Sequence, residues 1–199
     1  MLLINRNHHM EIRQFLNNIS DISVISDESK VAFGNLCSLI SIKKGKNLQS
    51  IGHTCKTIYF VQEGTARIYY FKDGKDITEY FAFQNDLIVR AESLFTGKPS
   101  HKAIQSISDA TFIAIPAEPL FALFEQYRDV ERLFRKVVER SYVDTINRLE
   151  SLQFHTAEER YQALLKKSPA VVREIPLKHI ASYLGITQVS LSRIRATDP

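Results

Sequence analysis

The 199-residue sequence has no tryptophan, only two cysteines, and few residues that punctuate structure, seven glycines and six prolines. It nowhere strings together the roughly 18 uninterrupted apolar residues that a membrane-crossing helix needs, and the opening MLLINRNHHM is too short in apolar residues for the core of a signal peptide. A cytoplasmic protein with no membrane association is expected. Cys37 and Cys55 form no CxxC pair and have no histidine cluster beside them, so they cannot supply four ligands to zinc or to an iron–sulfur cluster; they read as structural thiols in a reducing compartment. No phosphate-cradling glycine loop and no nucleophile elbow occurs. The expectation is therefore a protein that is not an enzyme and carries no metal and no cofactor.

What is present is ordinary in bulk and uneven in place. A hydrophobic share of 44% with 24% charged residues suits a packed globular chain. The net charge of +4 is concentrated at the end: from Thr156 to Pro199 there are seven basic residues against four acidic ones. Such a bias fits a polyanionic partner, and it fits a solvated surface equally well.

Three textures follow one another. Residues 11–34 have the look of short helices. From Leu36 to Pro116 the chain breaks into LCSLISI, TIYFVQEG, ARIYYF, ITEYFAF, AIQSI and TFIAIP, short runs rich in Ile, Tyr, Phe and Thr that are separated by turn residues. That pattern predicts an antiparallel sandwich or roll. Asp73-Gly74 is the sharpest hairpin signal, because a tight two-residue turn needs positive φ at both positions.

Beyond Pro116 glycine vanishes until Gly185. Val130, Leu133, Phe134, Val137, Val138, Tyr142, Ile146, Leu149 and Leu152 recur three or four apart, predicting one helix of about 25 residues over 128–153. Its stripe is longer than a small roll covers. Part of it therefore packs against a partner, most simply the same helix of a second copy, with Val130, Leu133, Phe134, Val137, Tyr142, Ile146 and Leu149 in the interface, or else the helix lies along its own domain. Thr156 and Glu159 in TAEE form a capping box that opens the next helix. These breaks divide the chain into 1–126, 127–155 and 156–199.

In PLKHIASYLGITQVSLSRIR, residues 176–195, Pro176 suits a helix start and Gly185 separates two short helices. Small Ala181, side-chain-free Gly185 and aliphatic Leu191 are spaced for two helices to cross closely, a helix-turn-helix. Thr187 caps the second helix, Ile186, Leu191 and Ile194 turn inward, and Gln188 and Ser190 face out with Arg193 along the exposed edge. A plain structural corner is the alternative reading.

The order of segments resembles the cAMP receptor protein/fumarate-nitrate regulator (Crp/Fnr) superfamily of bacterial transcription factors. TAEERYQALLKKSP, the 176–195 segment and SLFTGKPS at 93–100 are similar to Crp-like regulators common in Bacteroidetes. The resemblance implies an α+β chain: a cyclic-nucleotide-binding-like β-roll (a double-stranded jelly roll), a long dimerisation helix and a C-terminal helix-turn-helix. It implies a homodimer on double-stranded DNA, with RNA polymerase as a further partner. Lys178, Thr187, Gln188, Val189, Ser190, Arg193 and Arg195 would lie at the DNA, Arg193 at a position suited to guanine. Val189 replaces the glutamate usual in relatives, and with Pro199 as the last residue no β-wing is expected after the motif.

Cyclic-nucleotide members hold ribose with a Gly-Glu pair and phosphate with Arg-Ser-Ala. Here NDLIVRAESLFTGKPSHKAIQSI has no Gly-Glu and carries HKA at 101–103. Tight cAMP binding is therefore not expected. Arg90, Glu92, Ser93, His101, Lys102 and Ala103 remain either as a pocket for an unidentified small-molecule effector, such as an anion near Arg90, His101 and Lys102, or as a vestigial one. Haem ligation through His53, a signalling module acting on protein partners, and a cupin-like metal enzyme stay as alternatives. The last needs two or three converging histidines, and 36–116 contains only His53 and His101.

Overall fold

The structure, a computed structural model, describes residues 2–169 and 171–197. It opens with helices α1 (Leu2–Ser20) and α2 (Asp27–Gly34), the latter capped where Ser26 Oγ accepts from Ser29 N at 3.1 Å. The strands follow: β1 (Ser38–Ile42), β2 (Asn47–Gln49), β3 (Thr57–Glu63), β4 (Ala66–Lys72), β5 (Lys75–Ala82) and β6 (Leu87–Ile88), then the short helix α3 (Ala91–Thr96), β7 (Ala103–Ser106) and β8 (Ala110–Pro116). The remainder is helical: α4 (Ala117–Leu123), α5 (Arg128–Phe154), α6 (Ala157–Lys167), α7 (Val171–Glu174), α8 (Leu177–Leu184) and α9 (Gln188–Thr197).

The strands form two four-stranded antiparallel sheets, ordered β1-β8-β3-β6 and β2-β7-β4-β5, packed as a roll. Asp73 and Gly74 make the β4–β5 turn with φ of 51° and 72°, and Lys72 pairs with Lys75. One irregularity matters later. Ile68 pairs with Tyr80 but Tyr69 with Thr78, so Glu79 is an extra residue on β5, a bulge that re-aims its side chain.

Three apolar clusters hold the chain together. Val61, Ile68, Ile88, Ile104 and Phe112 fill the space between the sheets. Phe15, Leu16 and Phe33 of α1 and α2 pack on Phe60 and Ile113 of the roll, joined there by Val130 and Leu133 of α5. This corrects the expected dimer face. Val130 and Leu133 are buried in their own chain's core, with Phe134 and Val137 packed against it. Farther along, Tyr142, Val143, Leu149, Leu152 and Phe154 are exposed and Ile146 is half-buried. The stripe therefore serves two purposes: its first turns cover the roll's helices, and its later turns are left open.

The third cluster joins the roll to the terminal helices: Phe81 and Ile107 pack with Tyr161, Leu164, Ile175, Ile180, Leu184 and Leu191. This explains why Ala66, Arg67, Ile68 and Tyr69 are buried one after another. A sandwich strand with a solvated outer face alternates; β4 does not, because α8 covers that face. Among the described residues no helix is long and apolar enough to cross a membrane.

Candidate nucleic-acid interface and effector pocket

Local chemistry builds the α8–α9 pair. The last turn of α8 ends at Gly185, in the left-handed region at φ 73° and ψ 28°, and Ile186 N donates back to Ala181 O at 3.0 Å. Ala181 is buried at the crossing, and Leu191 of α9, 0% exposed, fills the angle. Two arginines satisfy the carbonyls that α8 would otherwise leave open. Arg160 donates from Nε and Nη2 to Leu184 O at 3.1 and 2.8 Å, while Arg148 donates to Tyr183 O and lies 3.9 Å above the Tyr183 ring. Burial lowers the Arg148 pKa, and its Nε is buried without a partner.

Thr187 caps α9, its Oγ1 accepting from Ser190 N at 3.1 Å. The Ser190 hydroxyl lies 2.9 Å from the same oxygen, so it shares the cap rather than standing free as the sequence suggested. Lys178, Thr187, Gln188, Val189, Ser190, Arg193 and Arg195 are all exposed. Ile186 and Ile194 are half-buried, and the helix turns its inward side to α8.

The second locus lies where β6 leads into α3. Arg90, 7% exposed, directs Nε toward Ser100 Oγ at 3.4 Å, and its Nη1 is 3.9 Å from Glu79 Oε2. Lys102 Nζ lies 2.6 Å from that oxygen and 5.5 Å from the Tyr70 ring centroid. Glu79 Oε2 is buried in ion-pair contact with both cations but in directional hydrogen bonding with neither. The bulge thus inserts a carboxylate between two cations, leaving a polar cluster with one positive charge in excess.

Of the six pocket residues expected from sequence, Arg90 and Lys102 come together. Glu92 and His101 are exposed, Ala103 is closed within β7, and the Ser93 hydroxyl is occupied, accepting from Cys55 N at 2.9 Å and donating to Lys98 O at 2.5 Å. Ser100 and Glu79 were missed. His53 is exposed, its Nδ1 3.3 Å from Ile51 O. Among the described residues no three His, Cys, Asp or Glu side chains gather as metal ligands do. Burial raises the Cys37 thiol to about 12, which keeps it protonated and unreactive.

Residues 39–127, which take in most of the β-roll together with Arg90 and Lys102, match the cyclic nucleotide-binding domain family. Over most of its length the chain shares its fold with solved transcriptional regulators, at low sequence identity. It is similar to a Crp/Fnr-family transcriptional regulator from Eubacterium rectale, at 20% identity over 85% of this chain and 82% of that one, TM-score 0.65. It is similar to FixK2 of Bradyrhizobium japonicum, at 19% over 80% and 83%, TM-score 0.69. The c-di-GMP-responsive global regulator CLP of Xanthomonas campestris matches at 13% over 86% and 90%, TM-score 0.64. No curated protein sequence matches the chain.

Proposed function

We propose that this chain is a Crp/Fnr-type transcriptional regulator, a homodimer that reads an inverted repeat in double-stranded DNA with α9. The observation that carries the reading is the division of α9 into two sides: Leu191 is 0% exposed against α8, while Thr187, Gln188, Val189, Arg193 and Arg195 stay exposed. The exposed later turns of α5 supply the dimer seam, which sets two α9 helices about 34 Å apart, one turn of DNA. RNA polymerase would be a partner of the DNA-bound dimer, and a cytoplasmic location suits that role.

The roll acts as a sensor whose effector is a small anion held by Arg90 and Lys102. Glu79 already pairs with both cations, and the Gly-Glu and Arg-Ser-Ala elements are missing, so cAMP binds weakly at most. An effector biases the dimer to the extent that it binds one arrangement of the recognition helices better than the other.

The test is selection of bound duplexes from a random pool by the ligand-free protein, followed by affinity measurements with Arg193→Ala. An inverted repeat is expected to be enriched, affinity to fall steeply as salt rises, and the substitution to weaken specific binding by about 1–3 kcal/mol more than non-specific binding. Absence of enrichment with or without nucleotides would favour a protein-binding module. Equal losses on both kinds of DNA would reduce Arg193 to a phosphate contact.

A further inference from the structure

The contact between the roll and α8 has a centre unlike an ordinary apolar seam. Arg67 of β4, 2% exposed, lies under α8 with its guanidinium held by Asp76 of β5 through two bonds, Nη1 to Oδ1 at 2.6 Å and Nη2 to Oδ2 at 2.7 Å. Its Nε donates to Gln105 Oε1 at 2.9 Å, and Nη1 also faces Thr78 Oγ1 at 3.0 Å and His179 Nδ1 of α8 at 2.8 Å. Around this core Thr78 N donates to Ser182 Oγ at 3.1 Å, Phe81 packs on Tyr183 at 4.9 Å, and Lys167 of α6 meets Asp86 at 3.2 Å.

An arginine donates and never accepts, so the 2.8 Å contact requires Nδ1 of His179 to be the acceptor. The ring in this contact is neutral, with its proton on Nε2. A second proton would sit on Nδ1 itself and point at a guanidinium that has no lone pair to offer. We propose that α8 and the outer face of β4–β5 form an acid-releasable intramolecular latch, in which neutral His179 keeps the α8–α9 head docked on the roll and protonated His179 lets it go.

The charged groups that act on His179 in the docked state are Arg67, Asp76 and its neighbour Lys178. Burial, then the Arg67 charge, lowers its pKa from 6.5 to about 4; Asp76, with Oδ1 4.0 Å from Nδ1, opposes this, and Lys178 adds to it. A base whose value falls on docking prefers to take its proton undocked. Docking is therefore at full strength above the ordinary histidine range and weakens as pH falls from there toward the docked value. Asp76, itself held below the usual carboxylate range because its bonds to Arg67 outweigh its burial, stays ionised through that window and keeps Arg67 in place.

The Thr78 amide reports the latch directly, because its partner is on α8. With values of about 4 docked and 6.5 undocked, the opening constant rises roughly 25-fold between about pH 7.5 and about pH 5. Hydrogen exchange of the full-length protein, corrected for intrinsic rates, should show that loss of protection at Thr78 but not in the β3–β8 ladder, and His179→Gln should abolish the dependence. Flat protection in the unaltered protein, or an equal fall in His179→Gln, overturns the latch. A measurement without substitution stands beside it: the His179 ring should titrate well below 6.5 by NMR, and a midpoint at the ordinary value overturns the proposal too. The meaning of release for gene control rests on the DNA-reading proposal, but no readout here contains DNA, so either can fail alone.

Discussion

Gly64 and Gly185 share a backbone conformation and differ in what surrounds it, with φ of +88° and +73°. An alanine in the left-handed region costs about 1–2 kcal/mol, of which the reduced freedom of the unfolded chain returns about 0.4–1 kcal/mol. At Gly185 the new Cβ would lie 3.8 Å from Leu152 Cδ2, an ordinary contact, so the penalty stops there, at about 1 kcal/mol. At Gly64 the Cβ would fall 2.6 Å from Ala110 Cβ, 2.7 Å from Ser108 Oγ and 2.8 Å from Asp109 O. The serine can rotate away. Ala110 Cβ and the Asp109 carbonyl are fixed to the backbone, so the start of β8 must shift, adding about 1–3 kcal/mol by analogy with an overpacked core. Gly64→Ala should thus lose about 2 kcal/mol more than Gly185→Ala, roughly 1 M in urea midpoint for an m value near 2 kcal/mol/M. Urea unfolding followed by far-UV circular dichroism measures both. Equal midpoints, or a larger loss at Gly185, would refute the steric reasoning.

Two further substitutions test the site and the assembly. Glu79→Gln removes the carboxylate between Arg90 and Lys102; a charge pair near 4 Å is worth about 1–4 kcal/mol depending on the local dielectric, and the 38% exposure of the Glu79 side chain selects the low end. Phosphate affinity by calorimetry should rise roughly fivefold, whereas unchanged or weaker binding would remove Glu79 from the pocket. Leu149→Glu places a charge on a residue that is 52% exposed in the single chain, so it should leave the fold intact and split the dimer at micromolar concentration in sedimentation. A monomeric unaltered protein, or an unmoved mass in the variant, would refute a seam through the later turns of α5.

Features decided by neighbours in sequence were legible before any coordinates. The Asp73-Gly74 turn, the Thr156–Glu159 box with both its bonds, and the Ala181–Gly185–Leu191 corner each depend on residues a few positions apart. What escaped depends on distant pairings. Periodicity marked the stripe of α5 but says nothing about what covers it, and Val130 and Leu133 went to α1, α2 and the roll. Nothing beside Arg67 in ARIYYF marks it for burial, and only α8, more than a hundred residues later, covers it. Glu79 was hidden because a bulge breaks the alternation that would assign it a face. Arg90 and Lys102, chosen from the stretch that the family cassette marks, lie on the same carboxylate. Glu92, chosen from the same stretch, ended on the exposed side of α3.

The arginine clamps on the end of α8 give the long helix a mechanical meaning. Arg148 and Arg160 fasten the α8 carbonyls to α5 and α6, so the head, docked on the roll by α8, is tied as well to the later part of a 27-residue rod. At 1.5 Å per residue the rod is about 40 Å long. A tilt of about 5° at its root, where Val130 and Leu133 are seated in the roll, moves the tip by about 3.5 Å, close to the rise of one base pair. On the proposed DNA-reading role, and once the α8 contact with the roll is released, so small a tilt at the base of α5 would shift α9 by about one base-pair step.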